Sequence, residues 1–185
     1  MPYLTDEEIA SLGLAYAGRN LKISSLCVIN NPETTYIDDF SRLDDFSIIS
    51  GKVKIGKYVH IAVMNNLAGG NYGIEIGSAV GIAYGCHIFS QTDDYSGKAF
   101  VSPLFSEKLT AVSGGTVVIQ DFSTIGTGSI IFPKVNMAEG TAVGAMSLVN
   151  RSTMPWGIYI GNPAKRVKER SMDYKKLFNL EFFDS

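Results

Sequence analysis

Aliphatic residues return at every sixth position along most of this chain. In IGTGSIIFPKVNMAEGTAVGAMSLV, residues 125–149, the period is marked by Ile125, Ile131, Met137, Val143 and Val149. A helical face repeats at three, four and seven, and a half-buried strand at two, so neither accounts for six. A ribbon that runs straight for a few residues, turns a corner and starts again does, because each flat side then carries one inward aliphatic residue. Three such sides close a triangular coil of eighteen residues, the unit of a parallel solenoid. The same spacing links Ile37, Leu43, Ile49, Ile55, Ile61 and Leu67, then Ile76, Ile82 and Ile88, then Ile119 onward to Ile125. Four residues after most of these stands a small or slim side chain (Ser41, Ser47, Val53, Val59, Val80, Cys86, Thr92, Ser123, Ser129, Val135, Thr141, Ser147), as a tight corner requires. Glycine often follows the aliphatic residue directly, as at Gly56, Gly77, Gly126 and Gly144, which suits a chain that bends repeatedly.

Two interruptions divide the pattern. Between Leu67 and Ile76 three residues are added within NLAGGNYG, and between Ile88 and Ile119 twenty-five are added. The second insertion predicts a projecting loop over about residues 93–116. Its Tyr95, Phe100, Leu104 and Phe105 make it too apolar for simple disorder, and it is expected to pack on a neighbouring chain or over a cleft. Thr5 and Glu8 have the spacing of a capping box, predicting a helix over about residues 6–16. Three segments follow: an N-terminal helical cap at 1–20, the solenoid at 21–170, and a C-terminal helix at 171–185 with Leu177, Leu180 and Phe183 near one face. Terminal helices are expected because both ends of a solenoid expose unpaired strands.

Composition narrows the classes. At 185 residues, 45% hydrophobic and 18% charged, the chain is one globular domain's worth. A net charge of −2 favours neither nucleic acid nor anionic membrane. No basic segment leads into an apolar run, and no stretch nears the roughly 18 apolar residues of a membrane span, so a cytoplasmic protein without membrane insertion is expected. Cys27 and Cys86 fall at the small corner position and read as packed, reduced thiols.

The six-residue repeat, the projecting loop and the closing GNPAK at 161–165 together resemble the left-handed β-helix acyltransferases, the hexapeptide-repeat transferases. The chain is most similar there to the sugar acetyltransferases of the galactoside and maltose type and of surface-polysaccharide synthesis, with VHIA at 59–62 and TDDYSG at 92–97 similar to segments of the last group. The resemblance covers about residues 21–170. It implies an all-β, left-handed parallel β-helix with a projecting loop and short terminal helices. It further implies a homotrimer with active sites between subunits, acetyl-CoA as cosubstrate, no metal, and a sugar or nucleotide-sugar acceptor. Its coenzyme A contacts map onto Thr127, Ala145, Asn150, Arg151, Lys165 and Lys168. From the residues themselves, Gly126, Gly128, Gly144 and Ala145 would leave an outer surface flat enough for a pantetheine arm. Lys165, Arg166, Lys168 and Arg170 could meet phosphates or simply open a solvated basic helix. Trp156 either stacks on adenine or seals the last coil.

At the catalytic position the chain departs from its relatives. Where O-acetyltransferases place a histidine at the base of the loop, this sequence has Asp93, or Asp94 with a shift of one. A carboxylate of ordinary pKa near 4 is a poor base toward a hydroxyl at neutral pH. A raised carboxylate pKa, a different base, or an acceptor needing less help would each resolve this. The only imidazoles are His60 and His87, and both should point outward. His60 falls where relatives contact the sugar, beside AGGNYG, and His87 has no such match; with the loop and the glycine-rich insertion expected to shape the pocket, Asn65, Gly69, Gly70, Tyr95 and His87 are the further acceptor-side candidates. The repeat puts His60 and Asp93 on different corners of one chain, so they would meet only across a subunit interface. An amine acceptor would need the least help, with Asp93 or Asp94 positioning it and a backbone amide near Gly144 or a water stabilising the oxyanion. N-acetylation of a nucleotide-linked amino-deoxy sugar is therefore expected first, and O-acetylation with His60 as base second. A non-catalytic scaffold is the third reading. Two histidines on different corners do not suit a three-histidine zinc site, and outward Lys, Asp, Phe and Tyr do not suit an ice-binding threonine row.

Overall fold

A computed structural model describes residues 2–173 and 175–177. The chain winds as a parallel solenoid with three faces, and neighbouring coils pair strand on strand. One face stacks Lys22–Ile23, Arg42–Leu43, His60–Ile61, Gly81–Ile82, Thr124–Ile125, Ala142–Val143 and Gly157–Ile160. A second carries Val28–Asn30, His87–Phe89, Ile130–Ile131 and Leu148–Val149. A third carries Tyr16–Ala17, Thr35–Ile37, Val117–Ile119 and Asn136–Met137. Two long strands, Ile48–Ile55 and Asn66–Ile76, run across the second and third faces without a break.

The six-residue period is the core. Every aliphatic residue it marks, from Ile37 to Val149, is buried, and so are the corner residues four later except Thr92. Apolar burial at roughly 25 cal/mol per Å² rewards this arrangement, because each inward side chain stacks on its counterparts one coil above and below. The corner polar groups are also satisfied: Ser41 Oγ donates to Gly56 carbonyl oxygen at 2.7 Å and accepts from Val59 N–H at 3.1 Å. The insertions leave the stacking intact. Ile61 pairs directly with Ile82, and Ile82 with Ile125, so the coils close over the added residues.

At the corners the backbone enters the left-handed region, often without glycine. Phe40, Tyr58, Ala79, Phe122 and Trp156 form such a column along one edge, at φ between 51° and 61°. Left-handed conformation costs an ordinary residue about 1 kcal/mol. Stacking offsets it here: the Phe40 and Tyr58 rings lie 4.9 Å apart, and Phe122 packs against Trp156 at 6.2 Å.

The ends differ from expectation in extent. The Thr5 to Glu8 capping box is present, but the helix is only Asp6–Ser11. Gly13 at φ +73° turns the chain out of it, and Tyr16–Ala17 already pairs with the third face, so coiling starts before residue 21. At the other end the basic segment is a strand, not a helix start. Lys165–Glu169 pairs antiparallel with Gly157–Ile160, closing the first face with a hairpin. The expected final helix falls largely outside the described residues. Leu180 and Phe183 lie there.

Candidate active site

The first face carries outward side chains in a row, one per coil: Lys22, Arg42, His60, Gly81, Thr124 and Ala142. In this row His60 is half exposed and its Nε2 lies 2.8 Å from Asp44 Oδ2. Asp44 is almost wholly buried, and it is fixed from a second side by Arg42, whose Nε donates to Oδ1 at 2.6 Å and whose terminal nitrogen donates to Oδ2 at 3.2 Å. Tyr3 adds a weaker hydroxyl contact at 3.4 Å. Burial pushes the Asp44 carboxyl up, but the hydrogen bonds from Arg42 and His60 outweigh it and hold the group below the usual carboxylate range. A half-exposed imidazole anchored by a buried carboxylate is a proton-transfer arrangement. Asp44 was not among the residues singled out from sequence. Its signal was present, since Arg42 precedes His60 by one coil and Asp44 directly follows the inward Leu43.

The projecting loop is a hairpin. Gln91–Asp93 pairs antiparallel with Val112–Gly114, and Phe100 stacks on Phe105 at 4.2 Å beyond it. Asp93 thus leaves by way of the second face, away from His60, as the repeat required. Asp94 serves the loop itself. It accepts from Ser96 N–H at 2.9 Å, Ser96 Oγ at 2.8 Å and Lys98 N–H at 3.2 Å. The Ser96 N–H first, then the Ser96 hydroxyl and further amides, hold its carboxyl below the ordinary value, the opposite of what a carboxylate base needs. Tyr95 is 88% exposed and Leu104 94%, so the tip reaches past its own coils.

Several expected acceptor residues have structural duties instead. Asn65 is buried, its amide donating to Ala62 carbonyl oxygen at 2.7 Å and its Oδ1 accepting from Cys86 N–H at 2.9 Å. Lying four after Ile61, it fills a corner as the serines do elsewhere. Gly69 is buried against the preceding coil, where a Cβ would stand 2.1 Å from Lys52 oxygen. Gly70 does line a groove, with Asn31, Thr34, Lys52, Asn71 and Gln91. His87 is exposed on the second face, between Asn66 and Ile130, away from His60.

Among the expected coenzyme residues, Thr127, Gly144 and Ala145 gather at the corner that follows the first face. Met146 N–H donates to Thr127 oxygen at 2.8 Å, and the turn leading to Lys165 caps this corner through Gly161 N–H to Ser147 Oγ at 3.0 Å. The same corner descends through Tyr84 and Met64 toward the His60 face, joined by Gly128 N–H to Tyr84 oxygen and Gly85 N–H to Val63 oxygen. Asn150 and Arg151 are exposed at the next corner. At Gly126 a Cβ would stand 2.5 Å from Ala145 nitrogen, so its smallness serves coil stacking. The Gly144 amide itself already donates to Tyr159 oxygen at 2.8 Å, which leaves the expected oxyanion donor to a neighbouring amide or a water. Trp156 is buried with Phe122 and Ala79, the sealing role of the two left open. Of the basic cluster, Arg166 pairs with Glu169 and Arg170 donates to the Phe122 and Gly140 carbonyls, while Lys165 and Lys168 are exposed. No metal-ligating cluster occurs among the described residues, and none of their helices is long and apolar enough to cross a membrane.

No protein-family model matches the chain. It is 34% identical over 184 residues to dTDP-4-amino-4,6-dideoxy-D-glucose acyltransferase of Escherichia coli, covering 98% of this chain and 94% of that one. Among solved structures it is similar to AntD, an N-acyltransferase from Bacillus cereus in complex with dTDP and 3-hydroxybutyryl-CoA, at 38% identity and TM-score 0.95, covering 99% of this chain and 98% of that one. A variant of AntD in complex with dTDP-4-amino-4,6-dideoxyglucose and coenzyme A matches at 37% identity with the same TM-score and coverage. A hexapeptide-repeat acetyltransferase from Vibrio cholerae, 17% identical with TM-score 0.64 over 91% of this chain and 82% of its own, shares the fold.

Proposed function

The chain belongs to the hexapeptide-repeat, left-handed β-helix acyltransferase family that includes dTDP-4-amino-4,6-dideoxy-D-glucose acyltransferase, and on that premise we propose that it acylates the amino group of a dTDP-linked 4-amino-4,6-dideoxy sugar from an acyl-CoA, acetyl-CoA being the simplest donor. The observation that carries this reading is similarity over nearly the whole of both chains to an acyltransferase of such a sugar, joined by AntD with the amino sugar and coenzyme A bound to it.

In the reaction the neutral amine attacks the thioester carbonyl, a C–N bond forms, and the C–S bond breaks as the oxyanion collapses. One amine proton must leave and the departing thiolate must gain one. His60 can accept the first and return it to sulfur. Asp94 is committed to the loop, and Asp93 is left to orient the amine from a neighbouring subunit. Coenzyme A would follow the Thr127 and Ala145 corner, its phosphates meeting Lys165 and Lys168. The reading includes a cytoplasmic homotrimer supplying a precursor for surface-polysaccharide synthesis such as lipopolysaccharide, and the exposed Tyr95, Leu104 and Phe105 suit contact with a neighbouring subunit.

The second reading, O-acetylation, is favoured by one observation: the His60 to Asp44 pair is the kind of base a hydroxyl requires. The test is thiol release by the purified protein with acetyl-CoA and 3-hydroxybutyryl-CoA, against dTDP-linked 4-amino sugars and matching hydroxyl sugars. Turnover with amines alone is expected. Turnover with hydroxyls alone would overturn the first reading for the second, and none with either would leave a scaffold.

A further inference from the structure

We infer that Asp44 is a positioning residue for His60 and that Gly81 is the open notch through which the acceptor's reacting group reaches the imidazole, an inference that rests on the acyltransferase reading above. Three observations carry it. Asp44 grips Nε2 of His60 at 2.8 Å, which leaves Nδ1 as the nitrogen able to face an acceptor. The carboxylate cannot swing away, because Arg42 holds both of its oxygens and its side chain is only 4% exposed. Directly across from His60 on the next coil stands Gly81, and a Cβ built there meets nothing within 4 Å, with no left-handed backbone to explain the glycine.

Most other glycines have a structural reason. Those at 18, 56, 69, 77, 114 and 126 sit where a Cβ would collide with a neighbouring coil, and Gly13, Gly51, Gly73 and Gly85 have positive φ. Gly81 has neither. Paired parallel strands lie about 4.8 Å apart, so the bare position is one strand spacing from the imidazole and about the size of a small substituent. Arg42 and Asp44 flank His60 from the coil on its other side, with Tyr3 and Tyr84 nearby. The strand position over the ring on the next coil, Gly81, carries no side chain. Carboxylate partners of this kind orient an imidazole and fix its tautomer.

In the transfer step His60 Nδ1 takes the amine proton as the C–N bond forms and gives it to the coenzyme A sulfur as the C–S bond breaks. Asp44 changes no bond.

The test uses Asp44→Asn, Gly81→Val and His60→Gln in the full-length protein, with wild type alongside. Wild type should show a downfield, slowly exchanging Nε2–H proton signal by NMR that is absent from His60→Gln and Asp44→Asn. Asp44→Asn should lower kcat by roughly 10- to 100-fold with KM for acyl-CoA unchanged, and Asp44→Glu should recover part of it. Gly81→Val should melt within a few degrees of wild type, since a Cβ there meets nothing within 4 Å, yet lose turnover with the amino sugar while still binding acyl-CoA. Active wild type with an unimpaired Gly81→Val, or without the proton signal, would overturn the inference. Wild type inactive toward every acceptor would instead overturn the parent reading. If Asp44→Asn does not fold, Gly81→Val still decides.

Discussion

The Trp156 indole occupies the space where a side chain on Gly140 would begin: a Cβ there would stand 2.4 Å from the ring. Gly140 also sits at φ +68°, so both space and backbone exclude a side chain. Gly140→Ala should cost about 2–4 kcal/mol, one part from left-handed strain and the rest from overpacking. Calorimetry should find the melting midpoint lower by roughly 5–15 °C for a domain of this size.

Asp39 gives the acid limb of stability a specific origin. The Arg19 backbone N–H, then the Arg19 guanidinium and the Lys57 ammonium, hold its carboxyl down to about 2 from an ordinary 3.8. A folded-state pKa below the unfolded one means stabilisation that is complete above the ordinary value and lost as pH falls toward about 2. Asp39→Asn should therefore lower stability at neutral pH and flatten its fall between these limits, as denaturant titrations at stepped pH would register.

Neither thiol should react in the folded protein at neutral pH. Burial pushes Cys27 up to about 12 and raises Cys86, and the thiolate is the reactive form. Ellman's reagent should label both only after denaturant is added, which also gives the thiol-release assay a low background. Fast labelling of the native protein would contradict the packing described for these corners.

Lys165 and Lys168 project from the closing hairpin with no acidic partner on that strand except Glu169, which Arg166 holds. Replacing both with alanine should raise KM for acyl-CoA by roughly tenfold, the loss of about 1.4 kcal/mol of binding. kcat should stay within about twofold, since phosphate contacts distant from the thioester bind ground and transition states alike. An equal fall in kcat would place these lysines nearer the chemistry than the proposed path of the coenzyme does.

The core was legible because it obeys one rule repeated. Ile37 through Val149 each needed only to be aliphatic and six apart, a signal that survives in a single sequence. The corners were half legible. Slim residues four after each aliphatic residue were evident, but the left-handed position three after it was not, since Phe40, Tyr58 and Met146 occupy it against their intrinsic preference. Asn65 misled because an amide in a corner slot looks like a polar site residue until its two hydrogen bonds are seen. Asp44 escaped because its partner His60 is a full coil later, and the pairing depends on the row formed when coils stack. Gly69 and Gly126 looked exposed because a sequence does not reveal which glycine faces the coil beside it.

The insertion between Ile88 and Ile119 leaves its flanking coils in direct register, Ile76 against Ile119 and Ile82 against Ile125. Winding therefore proceeds on both sides as though the hairpin were absent, and the hairpin is tied to the coils at its base, where Gln91 Oε1 accepts from Asn71 N–H at 3.1 Å. Residues in that stretch can be lengthened, shortened or exchanged wholesale while the frame that carries His60 and the Thr127 corner keeps its dimensions. Coil stacking and the projecting hairpin are written in separable parts of the chain, so a lineage can revise the hairpin without relearning how to fold.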